Sequence, residues 1–263
     1  MSDSGLKITL VQSRIHWHDS AANLAMFGEQ LDACRDLGHL AVLPETFASG
    51  FTQQPATQGQ PMDGEAVTWL KETSRRLGIA ITGSLAITED GQHFNRMLFV
   101  DRGEILATYD KVHLFTLAGE HKRYQAGQRR VVFDFRGWRI CPQVCYDLRF
   151  PVFSRCRNDY DLLLYVANWP TPRANAWIQL LRARAIENLC YTIGVNRVGE
   201  DGNGWDYAGA SAAVDYLGKD LVDLAQDQAT ATVTLSLDDQ QRFRQKFDFL
   251  ADADDFELKG IES

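Results

Sequence analysis

The stretch that decides the fold is residues 139–151, which read RICPQVCYDLRFP. Its first part, Arg139–Val144, has the apolar character of a buried β-strand, and the strand ends at Cys145. We expect a helix to begin directly after Cys145. Because a helix N-terminus and nearby cations lower the pKa of a thiol, and free backbone N–H groups can form an oxyanion hole, this position predicts a nucleophilic cysteine. The alternative is a buried structural cysteine, the usual state of a free thiol.

On both sides of this stretch, short β-rich runs alternate with amphipathic helical segments. Strands are expected at Leu6–Gln12, Leu40–Leu43, Ile79–Ile87, Phe94–Val100, Glu104–Tyr109, Arg130–Phe135, Asp161–Val166, Tyr191–Asn196, Tyr207–Val214, Leu221–Leu224 and Thr230–Leu235. Helices are expected from Asp19 or Ser20 to about Leu37 with Gly38 closing it, and at Glu65–Leu77, Trp177–Leu189 and Asp238–Phe247. No linker, repeat or low-complexity segment divides the chain. The pattern predicts one α/β domain over residues 1–263, with helices outside mixed sheets.

Composition excludes several classes of protein. Of the 263 residues, 45% are hydrophobic and 24% are charged, which is enough for a large core. The net charge of −8 argues against a nucleic-acid partner, because phosphate binding needs a basic face. No apolar run approaches the roughly 20 residues of a membrane span. The five cysteines are an odd number without a dense framework, which indicates the reducing cytoplasm, and we assign Cys34, Cys141, Cys156 and Cys190 to the core.

Two further segments place charged side chains next to apolar strands. Glu45 follows a buried strand in LPETF at 43–47, and low-dielectric surroundings would suit a proton acceptor. The alternative is a loop carboxylate that caps a backbone amide. Lys111 lies among alternating apolar residues in YDKVHLF at 109–115. It is either an exposed strand position or a buried ammonium that stabilises negative charge.

The three segments occur in the order Glu, Lys, Cys, as LPE at 43–45, DKVHL at 110–114 and CYDLRFP at 145–151. In that order and with those gaps they resemble the nitrilase, or carbon–nitrogen hydrolase, superfamily. The resemblance extends over almost the whole chain, through NWP at 168–170 and the helix at 182–188. One departure is Pro142-Gln143, where the family usually has glycine and small apolar residues; a proline there can bend the strand.

The resemblance implies a four-layer α-β-β-α sandwich of the nitrilase type with mixed sheets. It also implies a homodimer or higher homo-oligomer formed through helices. Candidate contacts are Trp177, Leu180, Leu181 and the end of the chain, unless these residues fill the core of the monomer. It implies neither a metal nor an organic cofactor. The expected partner is therefore a small-molecule amide substrate.

Roles follow from the matching motifs. The resemblance implies that Cys145 is the nucleophile, that Glu45 is the general base and later the acid, and that Lys111 stabilises the oxyanion with the backbone N–H of Tyr146. The family often has a second glutamate after the lysine motif, and Glu120 matches it. Glu120 would orient Lys111 and assist proton transfer; the alternative is a surface loop carboxylate.

Within the superfamily, the segments at 47–51, 119–124 and 145–151 resemble the bacterial ω-amidase branch. This implies release of ammonia from α-ketoglutaramate or α-ketosuccinamate through a thioester. A carboxylate at the far end of the substrate would be held by Arg149 or Arg173, unless Arg149 is a buried partner of Asp147. Apolar walls would come from three aromatic residues, namely Phe51, Tyr146 and Trp169.

Other functions remain open from the sequence. Nitrile hydrolysis and cleavage of N-carbamoyl compounds use the same triad. A Cys–His protease would need His113 or His121, whose surroundings do not match that class. Loss of the triad would indicate a non-enzymatic binding scaffold. All three residues of the triad are present. A metal site at Cys141 and Cys145 lacks further ligands at suitable spacing.

Overall fold

The structure is a computed structural model that describes residues 5–262; Met1–Ser4 and Ser263, at the ends of the expected domain, lie outside the described residues. Its strands in chain order are β1 (Gly5–Gln12), β2 (Leu40–Val42), β3 (Ala80–Glu89), β4 (Gln92–Asp101), β5 (Glu104–Asp110), β6 (Phe133–Phe135), β7 (Trp138–Val144), β8 (Leu162–Ala167), β9 (Tyr191–Asn196), β10 (Val198–Glu200), β11 (Asp206–Ala208), β12 (Ala212–Val214), β13 (Asp220–Asp223) and β14 (Ala229–Ser236). Its α-helices are α1 (Ser20–Ala33), α2 (Pro55–Gln58), α3 (Glu65–Leu77), α4 (Pro151–Ser154), α5 (Ala174–Asn188) and α6 (Leu237–Lys246). Short 3-10 helices cover Thr116–Ala118, Glu120–Lys122, Cys145–Arg149, Thr171–Arg173 and Phe249–Asp252.

Two mixed sheets of six strands each form the centre of the described part of the chain. The first has the order β14-β1-β2-β3-β4-β5 and the second β13-β12-β9-β8-β7-β6. In each sheet the middle strands are parallel, β1-β2-β3 in one and β7-β8-β9 in the other, and the outer strands are antiparallel. The carboxyl ends of neighbouring parallel strands meet at one edge of a sheet, so the loops that follow β2, β7 and β8 can converge.

Apolar side chains of both sheets share one core. The first sheet contributes Ile8 and Val42, and the second contributes Leu164 and Ile193, all fully buried. Each such side chain contributes roughly 1.5–3 kcal/mol by leaving water. Helices cover the outer faces, with Phe27 of α1 and other side chains of α1 and α3 packed on the first sheet, and α5 packed on the second. The expected four-layer sandwich is therefore confirmed.

For two of the three α5 residues considered as contacts between copies, the structure favours the alternative that they fill the core of the monomer. Trp177 and Leu181 are fully buried in the core under the second sheet, and the indole Nε1 of Trp177 donates to the carbonyl oxygen of Ala210 at 2.8 Å. Leu180 is half-buried. The helical periodicity correctly predicted a buried face, but that face packs inside the monomer.

The boundaries of α1 differ from the expectation at one end. Asp19 caps the helix as expected, since its side chain accepts from the backbone N–H of Ala22. The helix ends at Ala33, however, and the half-buried Cys34 is its cap rather than a core residue. Gly38 does not close the helix. A Cβ on Gly38 would lie 2.6 Å from the carbonyl oxygen of Lys7, so glycine is needed there for close approach to β1.

The strand expected at Tyr207–Val214 is interrupted. It is divided into β11 and β12, which belong to different sheets. Between them Gly209 and Ala210 both have left-handed backbone conformations, with φ of 67° and 55°. Proline at Pro142 does not break β7, which pairs with β8 from Ile140 to Val144 without a shift in register. No helix in residues 5–262 has the length and apolar character needed to cross a membrane.

Candidate active site

Cys145 stands at the end of β7 in an unusual backbone conformation. Its φ is 47°, in the left-handed region that residues other than glycine rarely adopt. Such strained positions cluster at functional sites, where the surrounding structure holds them. The element that follows is a five-residue 3-10 helix, Cys145–Arg149, and not the longer helix expected from the sequence. The N–H groups of its first turn, including that of Tyr146, have no partner within the helix.

A buried carboxylate, Asp147, fixes this turn to the first sheet. It accepts hydrogen bonds from the backbone N–H of Val144 at 2.9 Å, from the Tyr109 hydroxyl at 2.7 Å and from the backbone N–H of His113 at 2.9 Å. Its Oδ1 is also 2.7 Å from Nδ1 of His113. Asp147 therefore ties the loop that begins at Cys145 to the end of β5.

This network excludes two of the alternatives considered for the sequence. Arg149 is not a partner of Asp147, whose hydrogen bonds go to Tyr109, His113 and Val144. The His113 ring is held by Asp147 and stacked on Phe150 at 3.8 Å between centroids. Within residues 5–262 no histidine is hydrogen-bonded to Cys145, so the arrangement of a Cys–His protease is not present.

Three charged side chains meet beside Cys145, and all three are buried. The Lys111 ammonium Nζ lies 3.0 Å from Oε1 of Glu45, and 3.1 and 3.0 Å from the two oxygens of Glu120. Lys111 directly follows β5, and Glu45 lies three residues beyond β2. Glu120 reaches the cluster from a 3-10 helix, where it also accepts from the backbone N–H of Phe115 at 2.6 Å. Lys111 is thus not an exposed strand residue, and Glu120 is not a surface carboxylate.

Two asparagines that no sequence motif indicated as ligands of Glu45 hold its carboxylate. Asn95 Nδ2 donates to Oε1 at 2.8 Å and also reaches Glu120 at 3.4 Å. The backbone N–H of Asn168 donates to Oε2 at 2.7 Å, so Glu45 does satisfy a backbone amide besides its contact with Lys111. The Asn168 side chain binds the carbonyl oxygen of Glu45 at 2.7 Å. No local signal marks Asn95 in the sequence, because it lies between Phe94 and the charged Arg96 in β4.

The two carboxylates change the protonation of the cluster. Burial alone would lower the pKa of the Lys111 ammonium, but Glu120 and Glu45 raise it well above its usual value. Burial raises the pKa of Glu120, against the opposing effect of Lys111, and the neighbouring Glu45 raises it further. Lys111 is therefore a permanent cation in this site.

The pKa of the Cys145 thiol is shifted in the direction opposite to the one expected. Burial and the Glu45 carboxylate raise its pKa well above the usual value, and Lys111 opposes them only in part. The expectation that a helix N-terminus and a cation would lower the pKa is wrong, because burial of the thiol and then the Glu45 and Glu120 carboxylates outweigh Lys111, and the 3-10 helix that follows has only five residues. The resting group is a thiol, and its Sγ donates to the carbonyl oxygen of Asn168 at 3.9 Å. Such a thiol needs a base.

Cys145 and Lys111 open into a cavity of about 420 Å³. All five residues expected to bind substrate line it: Phe51, Tyr146, Arg149, Trp169 and Arg173. The Arg149 guanidinium lies 4.9 Å from the centroid of the Trp169 ring, and that of Arg173 lies 5.2 Å from the centroid of Phe115. Within the described chain neither guanidinium forms an ion pair with a carboxylate. The cavity therefore offers a thiol, a buried cation and two uncompensated cations near apolar rings.

Several other lining residues were not identified from the sequence. They are Gln53, Phe115, Leu117, Ala118, Pro170, Asp201, Asn203, Trp205 and Tyr207. They come from loops, from the 3-10 helix Thr116–Ala118 and from β11, whose mutual positions depend on long-range packing, and no local pattern marks them. Among residues 5–262, no cluster of three or more His, Cys, Asp or Glu side chains is placed to hold a metal ion.

The sequence matches a family model and curated proteins. The model of the carbon-nitrogen hydrolase family covers residues 7–245. Omega-amidase YafV of Escherichia coli (strain K12) is 46% identical over 257 residues, which are 97% of this chain and 99% of that protein. The 2-oxoglutaramate amidase of Bacillus subtilis (strain 168) is 32% identical over 209 residues, 78% of this chain and 80% of that protein.

Solved structures show the same fold. XC1258 from Xanthomonas campestris, a CN-hydrolase superfamily protein with an arsenic adduct in its active site, superposes with a TM-score of 0.94 at 46% identity, covering 97% of this chain and 99% of that one. A mutant amidase from Nesterenkonia sp. AN1 carries the acetamide moiety of fluoroacetamide on its active-site cysteine. It superposes with a TM-score of 0.81 at 25% identity, covering 94% of this chain and 98% of that one.

The charge cluster makes Lys111 a strong determinant of stability. Replacement of Lys111 by Met leaves two buried carboxylates, Glu45 and Glu120, without their cation. We expect Lys111→Met to lower the free energy of unfolding by about 3–5 kcal/mol, measured by urea denaturation. Adding Glu120→Gln to this variant should restore part of the loss, because one of the two repelling charges is removed.

The matched control for this prediction is Lys122→Met, which removes an exposed lysine from the 3-10 helix that carries Glu120. It should change the free energy of unfolding by no more than about 0.5 kcal/mol. Equal stabilities of the Lys111→Met and Lys122→Met variants would show that the cluster is not held by the buried cation.

Proposed function

The chain belongs to the carbon-nitrogen hydrolase family, and on that basis we propose that it is an ω-amidase that hydrolyses the terminal amide of a short acid through a thioester on Cys145. One observation carries this function. The cavity has a thiol and a buried ammonium on its wall, and it also has two guanidinium groups, on Arg149 and Arg173, without a carboxylate partner in the described chain. A substrate with an amide at one end and a carboxylate at the other matches both sets of groups.

Acylation begins with the proton of Cys145. Glu45 accepts this proton as the sulfur attacks the amide carbon, since the raised pKa of the thiol prevents earlier ionisation. The carbonyl oxygen becomes an oxyanion, which the Lys111 ammonium and the backbone N–H of Tyr146 stabilise. One such donor is worth roughly 3–4 kcal/mol in comparable reactions. The proton on Glu45 then passes to the amide nitrogen, the C–N bond breaks, and ammonia leaves.

Deacylation reverses the roles of the same groups. Glu45, again a carboxylate, accepts a proton from water as the water oxygen attacks the thioester carbon. The C–S bond breaks, the proton returns to sulfur, and the free acid leaves. The covalent acetamide on the active-site cysteine of the Nesterenkonia amidase supports a nucleophilic thiol in this family. The arsenic adduct in the active site of the Xanthomonas relative shows that the active site of that protein is reactive.

Glu120 acts through Lys111. Both of its oxygens lie within 3.1 Å of Nζ, and a third hydrogen bond from the Phe115 backbone fixes the carboxylate. We assign it the role of holding the ammonium in place for the oxyanion. Asn95 supports the same geometry, because it donates to Glu45 and to Glu120.

The far end of the substrate is assigned to the two arginines. Charge-assisted hydrogen bonds from a guanidinium hold a carboxylate more strongly than neutral donors do, and a site built for a carboxylate disfavours ligands without one. Phe51, Tyr146 and Trp169 would enclose a chain of a few carbons. Relatives named for 2-oxoglutaramate support an acid amide of this size. Nitriles and N-carbamoyl compounds are the alternatives for the same triad. A simple nitrile does not account for the two guanidinium groups, whereas an N-carbamoyl amino acid carries a carboxylate and differs from the proposed substrate at its other end; the relatives named for 2-oxoglutaramate favour the acid amide.

We further infer a cytoplasmic enzyme that forms a homodimer or larger homo-oligomer. All five cysteines are free, which suits a reducing compartment. Three apolar side chains on the same side of the protein as the second sheet are candidate contacts between copies. They are Val152, Ile186 and Leu217, each of which is more than half exposed. They take the place of Trp177 and Leu181 as candidate contacts, because those two side chains are buried in the core.

The nucleophile is tested by substitution of single cysteines. Cys145→Ala should reduce amide turnover to the background rate, because among residues 5–262 no other thiol lines the cavity. Cys34→Ala, which removes a half-buried thiol at the end of α1, should retain full activity, as should Cys156→Ala and Cys190→Ala. Iodoacetamide should label Cys145 first, and peptide mapping that finds Cys34 labelled faster would count against the assignment.

Substitutions of the two glutamates should impair different steps of the reaction. Glu45→Gln cannot accept the thiol proton, so acylation should slow by about 10²- to 10⁴-fold, with no trapped thioester by intact-protein mass spectrometry. Glu120→Gln should slow turnover less, because it loosens Lys111 without removing the base. Accumulation of a thioester in Glu45→Gln would show that Glu45 serves deacylation alone.

Substrate preference tests the two arginines. Succinamate and butyramide differ only in a carboxylate or a methyl group at the far end, so their kcat/KM ratio isolates the carboxylate. We expect the wild type to favour succinamate by about 10- to 100-fold, and Arg149→Met or Arg173→Met to reduce this ratio. Arg102→Met, in the exposed β4–β5 turn, is the control. Equal turnover of butyramide, or of a simple nitrile, would contradict the ω-amidase assignment but not the Cys–Glu–Lys chemistry.

A further inference from the structure

Gln53 lines the cavity with an amide group that the protein does not use. Its side-chain Nε2 and Oε1 are both buried, and neither has a hydrogen-bond partner among the described residues. The backbone beside it is firmly held. The Tyr124 hydroxyl donates to the carbonyl oxygen of Thr52 at 2.9 Å, and His18 Nε2 lies 2.9 Å from Oγ1 of Thr52. The loop that carries this amide is therefore fixed, so mobility of the loop does not account for the missing hydrogen-bond partners.

A buried amide without a hydrogen bond is unfavourable, and native proteins rarely retain one without a reason. The other buried polar side chains that line the cavity have their donors engaged. Asn168 Nδ2 binds Glu45 and Thr46, and the Tyr207 hydroxyl donates to Asp201 at 2.9 Å. Within residues 5–262, Gln53 is thus the cavity-lining residue whose neutral donor is both buried and unused.

The chemistry of the substrate indicates what Gln53 would bind. On the proposed function, the amide oxygen goes to Lys111 and the Tyr146 N–H, and the far carboxylate goes to the two arginines. A plain ω-amide has no other polar group. A 2-oxo ω-amide has one, the keto oxygen beside the carboxylate, and this oxygen can only accept a hydrogen bond. The buried neutral donor that remains unused in the described part of the cavity wall is Nε2 of Gln53.

We propose that Gln53 is a specificity-determining residue, which donates from Nε2 to the 2-oxo oxygen and selects 2-oxo ω-amides over their counterparts without the oxo group. The assignment rests on the proposed function and adds a residue to it. The choice of Nε2 over Oε1 follows from the ligand, because a keto oxygen offers no proton. Gln54, the next residue, is exposed and has no such role.

The test compares 2-oxoglutaramate with glutaramate, which differ only in the oxo group. Gln53→Leu should lower kcat/KM for 2-oxoglutaramate by about tenfold and leave glutaramate nearly unchanged. Gln53→Glu has the same length without the N–H donor and should lose the same preference. Gln54→Leu, the identical change at the exposed neighbour, should behave as the wild type. Thermal melting of each variant shows that it is folded.

The outcomes separate this inference from the function on which it rests. Equal losses for both substrates in Gln53→Leu would show a structural role and overturn the proposal, while ω-amidase activity would stand. A wild-type enzyme that releases ammonia from neither acid amide would overturn both. If the variants do not fold, inhibition of the wild type by 2-oxoglutarate and by glutarate still decides, since the proposal requires tighter inhibition by the oxo acid and equal inhibition contradicts it.

Discussion

One buried ammonium, that of Lys111, is shared by two buried carboxylates, and the rest of the site depends on this imbalance. Lys111 Nζ lies 3.0 Å from an oxygen of each of the two glutamates. A thiolate on Cys145 would be buried beside them, so burial first and then the Glu45 carboxylate raise the pKa of this thiol, and Lys111 opposes them only in part. In the acylation step proposed above, the proton would move from sulfur to Glu45 while negative charge appears on the oxyanion. The total charge near Lys111 would then stay the same, and the proposed step creates no additional buried charge.

The fold supplies these groups from strand ends of both sheets. Lys111 and Cys145 directly follow β5 and β7, and Asn168 directly follows β8. Asp147 connects the two sheets at this point through Tyr109 and the backbone of Val144. The proposed catalytic groups are consequently placed by the packing of one sheet on the other, and the segments around them contribute the cavity wall.

The sequence was sufficient for the layers of the fold and for the identity of the charged cluster. Glu45, Lys111 and Cys145 lie in motifs with a recognisable order, and α3 and β9 have the predicted boundaries because their apolar period ends at clear signals such as Gly78. The partners of the cluster were not predictable. Asn95 contacts Glu45 across 50 positions of sequence, and Asn168 does so across 123, distances at which local patterns carry no information. The shift of the thiol pKa was predicted with the wrong sign, since the expectation considered the cation without the burial of the thiol and without the two carboxylates.

The protonation of Cys145 before substrate binds tests the central claim most directly. An infrared difference spectrum of wild type minus Cys145→Ala at neutral pH isolates this thiol, because the other four cysteines contribute equally to both proteins. The account predicts an S–H stretching band in the difference spectrum and no ultraviolet absorbance of a thiolate. A thiolate absorbance without the S–H band would contradict it, and would mean that Cys145 is ionised before Glu45 acts.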